Sequence, residues 1–265
     1  MIIQEEQIDL QTPVGAMRTY VYRPVAEGKY PGVVFFSEIY QQTGPIRRSA
    51  MFLAGHGYVV AVPEIFHELN PIGAVLAYDK QGTDKGNADK IAKTLQSYDD
   101  DCGEVFSYLT KHSACTGMLG AIGICIGGHL AFRAGMQSGV RASACFYATD
   151  IHKRSLAEGM NDNSLDRIPE IGAELLMIWG RQDPHIPTEG RALIYQRLSE
   201  VGTQFTWHEF NGQHAFMRDE GHRYDPELSA LCWKLVLALF GRQLGEGRGS
   251  GTEEASVKGV KDSCC

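Results

Sequence analysis

Short apolar runs that alternate with segments of helical length are the feature that most constrains the fold. The apolar runs are nearly continuous and lie at 32–36, 57–62, 118–122, 142–147 and 174–179. Runs of this kind are typical of strands that are buried on both faces of a parallel sheet. Segments of helical length lie at 45–56, 87–112, 127–137, 188–201 and 226–242. Further strands are predicted at 8–11, 17–23 and 204–210.

This alternation predicts an α/β fold with a mostly parallel, doubly wound sheet of about eight strands, flanked by helices. With no internal repeat or mid-chain linker, residues 1–244 are predicted to form a single domain. The stretch from 64 to 86 contains Gly, Pro and Asp, and we expect an irregular loop that contributes to a site. The segment 245–265 is rich in Gly, Ser, Glu and Lys, and we expect a disordered tail.

Charge and cysteine content exclude several classes of protein. The chain has 25 Lys and Arg against 32 Asp and Glu, with no basic block, so no nucleic-acid partner is expected. It has no apolar run of transmembrane length, and its first residues are acidic, unlike a signal peptide; we therefore predict a cytoplasmic protein. The seven cysteines are scattered and odd in number, which favours reduced thiols. The final pair, Cys264 and Cys265, resembles a prenylated ending, but we favour an unmodified tail.

A candidate nucleophile lies where an apolar strand meets a helix. The segment 120–129 contains the pattern Gly-x-Cys-x-Gly around Cys125. This is the nucleophile-elbow pattern with Cys in place of Ser, in which a strained turn exposes the nucleophile. A neighbouring imidazole and the N-terminus of the following helix would favour the reactive thiolate.

An acid and a base follow Cys125 in the order that α/β-hydrolases use. Asp183 lies just beyond the apolar run at 174–179, and His214 lies just beyond the strand predicted at 204–210. Because functional sites of open α/β sheets lie at the carboxyl ends of the strands, these residues can converge. The backbone N–H of Ile126 is a candidate oxyanion donor, and a second donor is expected from the loop 37–40.

Together these motifs resemble the dienelactone hydrolase family, the cysteine-nucleophile branch of the α/β-hydrolases. The matching segments are 38–39, 123–128, Tyr147, 180–183 and 214–218. The resemblance implies a triad of Cys125, His214 and Asp183, with Glu38 interacting with the resting thiol. It also implies that Ile39 and Ile126 donate to the oxyanion and that Arg218 holds a substrate carboxylate.

The sequence departs from this family at one position. Dienelactone-specific members supply a second carboxylate-binding Arg before the long helix, where this chain has only Lys80, Lys85 and Lys90. We take Lys85 as the candidate there, but Lys lacks the bidentate fork of Arg. A related lactone or small ester, in particular an anionic one, is therefore expected rather than dienelactone itself. Tyr40, Phe66 and Tyr147 are further candidates to line the pocket.

Each candidate has a simpler alternative. Cys125 could be a buried thiol in a tight turn, Asp183 could cap a helix, and His214 could be an ordinary loop histidine. Glu38 and Arg218 could be a loop carboxylate and a surface cation, and the aromatic residues could serve packing alone. The other histidines show no paired metal-ligand spacing, so neither a metal nor another cofactor is expected.

We therefore predict a cofactor-free hydrolase that acts on a small-molecule lactone or carboxylic ester through a thioacyl-enzyme. A broad-specificity carboxylesterase or thioesterase is the alternative within enzymes. A non-catalytic protein that senses oxidants or electrophiles through Cys125 is the alternative from another class. No oligomeric state is predicted.

Overall fold

A computed structural model describes residues 1–245, and its eight strands form one sheet in the order β1-β2-β4-β3-β5-β6-β7-β8. The strands are β1 (Ile3–Thr12), β2 (Gly15–Pro24), β3 (Tyr30–Phe36), β4 (Val59–Pro63), β5 (Cys115–Ile124), β6 (Val140–Phe146), β7 (Glu174–Gly180) and β8 (Phe205–Phe210). Strand β2 pairs antiparallel with both β1 and β4. All the other neighbouring strands, from β4 across to β8, pair parallel. The α/β fold with a mostly parallel sheet of eight strands is thereby confirmed.

The apolar runs form the centre of this sheet. Every residue of β4 is buried, as are the last five residues of β3 and the last six of β5. Burial of both faces explains why these strands appear in the sequence as continuous apolar runs rather than as alternating patterns. The edge strand β1 instead alternates between exposed and half-buried residues, because one of its faces meets solvent.

Six α-helices connect or follow the strands. They are α1 (Gly44–Gly55), α2 (Lys80–Ala92), α3 (Leu95–Lys111), α4 (Ile126–Ala134), α5 (Thr188–Val201) and α6 (Pro226–Gln243). No helix among residues 1–245 combines the length and apolar character needed to cross a membrane. The tail beyond 245, including Cys264 and Cys265, lies outside the described residues. Its disorder and its lack of modification therefore stay predictions.

The region before α3 differs from the sequence prediction. The loop expected from 64 to 86 ends at Asp79, where α2 begins, and the single helix expected over 87–112 is two helices that meet at Lys93 and Thr94. The carboxylate of Asp79 accepts from the Gly82 N–H at 2.7 Å, and the Thr94 hydroxyl accepts from the Ser97 N–H at 3.1 Å. These two N-caps start separate helices.

Candidate active site

Cys125 occupies a sharp turn between β5 and α4. Its backbone adopts φ 60° and ψ −124°, a strained combination for a residue with a side chain. The Cys125 N–H donates to the Phe146 carbonyl at 3.1 Å, and its own carbonyl accepts from the Gly128 N–H at 3.0 Å. The turn therefore fixes the thiol at the carboxyl edge of the sheet, half-buried and in contact with a cavity.

Two glycines of the elbow are required by close backbone approach. A Cβ on Gly123 would lie 1.9 Å from the Gly127 carbonyl oxygen, and a Cβ on Gly127 would lie 2.1 Å from the Phe36 carbonyl oxygen. Both separations are far below any van der Waals contact. The Gly-x-Cys-x-Gly pattern thus has a direct steric cause at both of its glycines.

Asp183 and His214 meet although 31 residues separate them in sequence. The His214 Nδ1 lies 2.6 Å from the Asp183 Oδ2, and the other carboxylate oxygen accepts from the His185 N–H at 2.8 Å. Both side chains are buried, at 4% exposure for Asp183 and 7% for His214. The loops that carry them are joined by the Arg181 N–H, which donates to the Phe210 carbonyl at 2.7 Å. This arrangement fixes the orientation of the imidazole.

The His214 imidazole also interacts with Cys125. Burial alone would lower the pKa of His214, but the negative charge of Cys125 and its hydrogen bond, together with the Asp183 carboxylate, raise that pKa to about 10. Asp183 and His214 are therefore joined by a short hydrogen bond, and His214 and Cys125 line the same cavity.

The two backbone N–H groups that the sequence predicts as oxyanion donors have no acceptor within the described part of the chain. They belong to Ile39, in the loop after β3, and to Ile126, the first residue of α4. Gly86 of α2 packs against Ile39, since a Cβ on Gly86 would lie 2.7 Å from the Ile39 carbonyl oxygen. The first half of α2, which the sequence predicted as loop, therefore packs on the residue that carries one of these N–H groups.

Glu38 lies in a buried polar cluster beside the cavity. Its carboxylate accepts from the Tyr78 hydroxyl at 3.2 Å and lies 3.7 Å from the Arg218 guanidinium. Burial raises the pKa of Glu38, while Arg218, His214 and Tyr78 oppose that rise. Among residues 1–245 no hydrogen bond joins Glu38 to Cys125, although both line the same cavity, and the interaction with the resting thiol that the family resemblance implies stays a prediction.

Arg218 and Tyr40 face the same cavity as the thiol. The Arg218 guanidinium stacks over the Tyr78 ring at 4.2 Å and lies 6.0 Å from the centre of the Tyr40 ring. The Tyr40 hydroxyl shares a hydrogen bond of 2.8 Å with Thr83 of α2. Tyr78 was missed by sequence reasoning, because a tyrosine in an irregular segment carries no pattern that marks it as a partner of Glu38.

The cavity has a volume of about 620 Å³, which suits a small-molecule ligand. It is lined by Glu38, Ile39, Tyr40, Tyr78, Thr83, Asn87, Lys90, Cys125, Thr149, Asp150, Lys153, His185, His214, Ala215, Arg218, Glu220, Gly221, His222 and Arg223. Most of these residues are polar or charged, but apolar atoms form as much of the exposed lining as polar atoms do. The cavity therefore offers a small ligand both hydrogen-bond partners and apolar contacts.

Phe66 and Tyr147 do not line this cavity, contrary to prediction. Both side chains are fully buried at 0% exposure. The Tyr147 ring packs edge-on against the imidazole of His214 at 5.0 Å and against Phe216 at 5.3 Å. An aromatic side chain after a strand is thus used here for packing, and in the case of Tyr147 it packs on the candidate base.

Lys85 is likewise not at the cavity. It lies on an exposed face of α2, where its ammonium group pairs with Asp89 one turn later. Lys90 lines the cavity instead, and its ammonium group lies 3.0 Å from the Asp150 carboxylate. Lys153 and Arg223 also reach the cavity, and neither had been singled out from the sequence.

Within residues 1–245, two groups of side chains have ligand atoms close enough together to hold a metal ion. One comprises Asp183, His185 and His214, and the other comprises His67, Glu68 and Asp101. The buried ammonium of Lys93 already lies 2.6 Å from Glu68 and 2.7 Å from Asp101, so the second group has its own cation. In the first group, the short contact between Asp183 and His214 already uses a ligand atom of each. The prediction that no metal is required stays a prediction.

Comparison with known proteins decides the family. The model of the dienelactone hydrolase family matches residues 17–244. The chain belongs to the dienelactone hydrolase family. The match spans the strands, helices and loops that carry the proposed site, and it confirms the resemblance drawn from the sequence motifs. A hydrolase of lactones or esters is thereby confirmed as the class of enzyme.

Individual members of the dienelactone hydrolase family cover nearly the whole chain. A Saccharomyces cerevisiae protein named "Putative carboxymethylenebutenolidase" is 43% identical over 258 residues, which is 92% of this chain and 93% of that protein. The carboxymethylenebutenolidase of Pseudomonas putida is 26% identical, over 78% of this chain and 84% of its own length. A solved structure titled "Putative Dienelactone Hydrolase", from Klebsiella pneumoniae, covers 91% of this chain and 100% of its own, with a TM-score of 0.80. At 22% identity, that structure supports the fold alone.

Proposed function

We propose that this protein hydrolyses a lactone or small carboxylic ester, with Cys125 as the nucleophile, His214 as the acid–base group and Asp183 as the residue that orients it. The observation that carries this proposal is the 2.6 Å contact between His214 and Asp183, with His214 and Cys125 both lining one cavity of about 620 Å³. A nucleophile, a base and a group that orients the base are the minimum set for covalent acyl transfer.

In the first half of the reaction, the Cys125 sulfur attacks the carbonyl carbon and forms an S–C bond, and the carbonyl electron pair moves to the oxygen. The N–H groups of Ile39 and Ile126 stabilise this oxyanion. The intermediate then collapses, the C–O bond breaks, and the departing oxygen takes a proton from the His214 imidazolium. A thioester on Cys125 remains, and in the case of a lactone the alcohol stays attached to the acyl group.

In the second half, His214 removes a proton from a water molecule that attacks the thioester carbonyl. The S–C bond breaks, the thiolate is restored beside the imidazolium, and a carboxylic acid leaves. Asp183 stays ionised and keeps the Nδ1 side of His214 engaged, so that the Nε2 side faces the thiol and water. Arg218 and Tyr40 bind a polar or anionic part of the substrate.

The thiol nucleophile sets a requirement for the surroundings of the protein. All five cysteines among the described residues are unpaired, and Cys125 is the one that is only half-buried. An exposed thiolate is prone to oxidation, which would end turnover. We therefore propose that the protein works in a reducing compartment, and the cytoplasm meets that condition.

Replacement of the nucleophile tests the proposed function. We expect Cys125→Ala to lower kcat/KM for 4-nitrophenyl acetate and for a butenolide by at least about 10³-fold. The matched control is Cys115→Ala, which removes a buried thiol from the other end of β5 and should leave turnover unchanged. Near-wild-type turnover by Cys125→Ala would refute the assignment. Rapid alkylation of Cys125 in a wild-type protein without any turnover would favour the electrophile-sensing alternative instead.

A further inference from the structure

The cavity wall carries more positive charge than its own carboxylates neutralise. Each carboxylate that lines the cavity has a cationic partner. The pairs are Glu38 with Arg218 at 3.7 Å, Asp150 with Lys90 at 3.0 Å and Glu220 with Arg48 at 2.9 Å. Two lining cations remain, Arg223 and Lys153, and neither side chain makes a hydrogen bond or ion pair within residues 1–245.

Arg223 is the more informative of these two residues, because it is half-buried. A guanidinium group in such a place loses hydration, and a partner of opposite charge would compensate that loss. Its charge already acts on the site, since it favours the ionised form of Glu38 and the neutral form of His185. Lys153 is exposed and lies in the loop after β6, where a flexible ammonium group can follow a bound anion.

The loop that carries Arg223 is held by ion pairs just before it and by a backbone turn around it. Arg48 of α1 binds the Asp219 carboxylate at 2.6 Å and the Glu220 carboxylate at 2.9 Å. The Gly221 backbone has φ +96°, and its carbonyl accepts from the Tyr224 N–H at 3.4 Å. Arg223 therefore extends from a fixed turn rather than from a free surface loop.

We propose that Arg223, with Lys153, forms a second anion subsite, and that the preferred substrate is a lactone or ester whose acyl part carries two carboxylates. This inference rests on the proposed function and deepens it. Arg218 is proposed above to bind one anionic group of the substrate, and Arg223 and Lys153, which have no partner within residues 1–245, supply the charge that can receive a second. Arg223 acts here as a specificity residue: it binds substrate and takes no part in bond cleavage.

Three esters that share one leaving group test this subsite. They are 4-nitrophenyl butyrate with no carboxylate, mono-4-nitrophenyl glutarate with one, and a mono-4-nitrophenyl ester of tricarballylic acid with two. We expect kcat/KM of the wild type to rise with each carboxylate, chiefly through a lower KM. Arg223→Gln should lower kcat/KM for the dianionic ester by about tenfold, mostly through KM, and leave the neutral ester unchanged.

Lys153→Gln should produce a smaller loss for the same ester, because solvent screens its exposed charge. The matched control is Arg141→Gln, which removes the same charge from the start of β6, at the opposite edge of the sheet. An Arg223→Gln variant that keeps the wild-type preference for the dianionic ester, or that loses the same factor on the neutral ester, would overturn the subsite.

Direct binding of glutarate separates this inference from the proposed function. We expect glutarate to bind the wild type and Arg141→Gln alike, and Arg223→Gln about tenfold more weakly, as measured by calorimetry. If no ester is hydrolysed, the proposed function fails, while the glutarate measurement still decides the subsite. Equal glutarate affinity in all three proteins would overturn it.

Discussion

At the scale of a residue, His214 shows how opposing influences act on one imidazole. Burial lowers its pKa, and the negative charges of Cys125 and Asp183 raise it, with a net value of about 10 against the ordinary 6.5. Because the pKa in the folded protein lies above that of the unfolded chain, protonation of His214 stabilises the fold. That contribution is complete below about pH 6.5 and is lost as pH rises through about 10.

This balance predicts the effect of removing the thiol on the imidazole. Since Cys125 supplies the largest of the influences that raise the pKa of His214, Cys125→Ala should lower that pKa. A pH titration of the His214 ring signals by NMR measures the change, with Cys115→Ala as the control that retains the wild-type value. An unchanged His214 pKa in Cys125→Ala would show that the thiol and imidazole are not coupled.

The three residues of the proposed triad could be singled out because each follows a predicted strand in a recognisable motif. The cationic residues of the cavity could be predicted only in part. The spacing of Lys80 to Asp84 and of Lys85 to Asp89 would pair each lysine with an acid one turn later in a helix, leaving Lys90 unpaired within that helix. That inference needed a helix that begins at Lys80, whereas the sequence predicted one that begins at Asn87. Arg223 lies in a loop, where no periodicity indicates the direction of a side chain.

At the scale of an element, the elbow works because α4 lies against the backbone of β3. Gly127 allows that approach, since any Cβ there would overlap the Phe36 carbonyl oxygen at 2.1 Å and the Ser37 carbonyl oxygen at 2.5 Å. These are backbone atoms of β3 and of the loop that carries Ile39, so they can move only if the sheet edge moves. The same contact therefore supports both the fold and the placement of the oxyanion donors.

We accordingly expect Gly127→Ala to lower the free energy of unfolding by about 3 kcal/mol and to reduce kcat. Gly241→Ala in α6 is the matched control, because a Cβ there meets no atom within 4 Å and should stabilise the helix by about 0.5–1 kcal/mol. Denaturation with guanidinium chloride measures both values. Wild-type stability in Gly127→Ala would contradict the close packing of α4 on β3.

The sequence predicted the buried strands well and α2 poorly. Strands buried on both faces appear as apolar runs, so their positions followed directly from hydrophobicity. The α2 helix has glycines at 82 and 86, is mostly polar and has only three buried residues, so neither helix propensity nor an apolar stripe predicts that it begins at Lys80. Its start depends on the Asp79 cap and its packing on Ile39, both of which require the folded structure.

At the scale of the whole molecule, the strand order gathers distant residues at one edge. The strands β5, β7 and β8 run parallel, and the loops after them carry Cys125, Asp183 and His214 respectively. Parallel strands place these loops at the same edge, which is why the site could be predicted from the fold class. The partners of Glu38, and the positions of Arg223 and Lys153 in the cavity, depend on loop conformations that no fold class specifies.

The central claim is that acyl transfer passes through Cys125, and trapping the acyl-enzyme tests it most directly. The wild-type protein is mixed rapidly with excess 4-nitrophenyl acetate, quenched in acid and mapped by peptide mass spectrometry. We predict a burst of about one nitrophenolate per chain and one acetyl group on the peptide that contains Cys125, with neither in Cys125→Ala. Steady turnover with Cys125 unmodified and another residue acetylated would contradict the account.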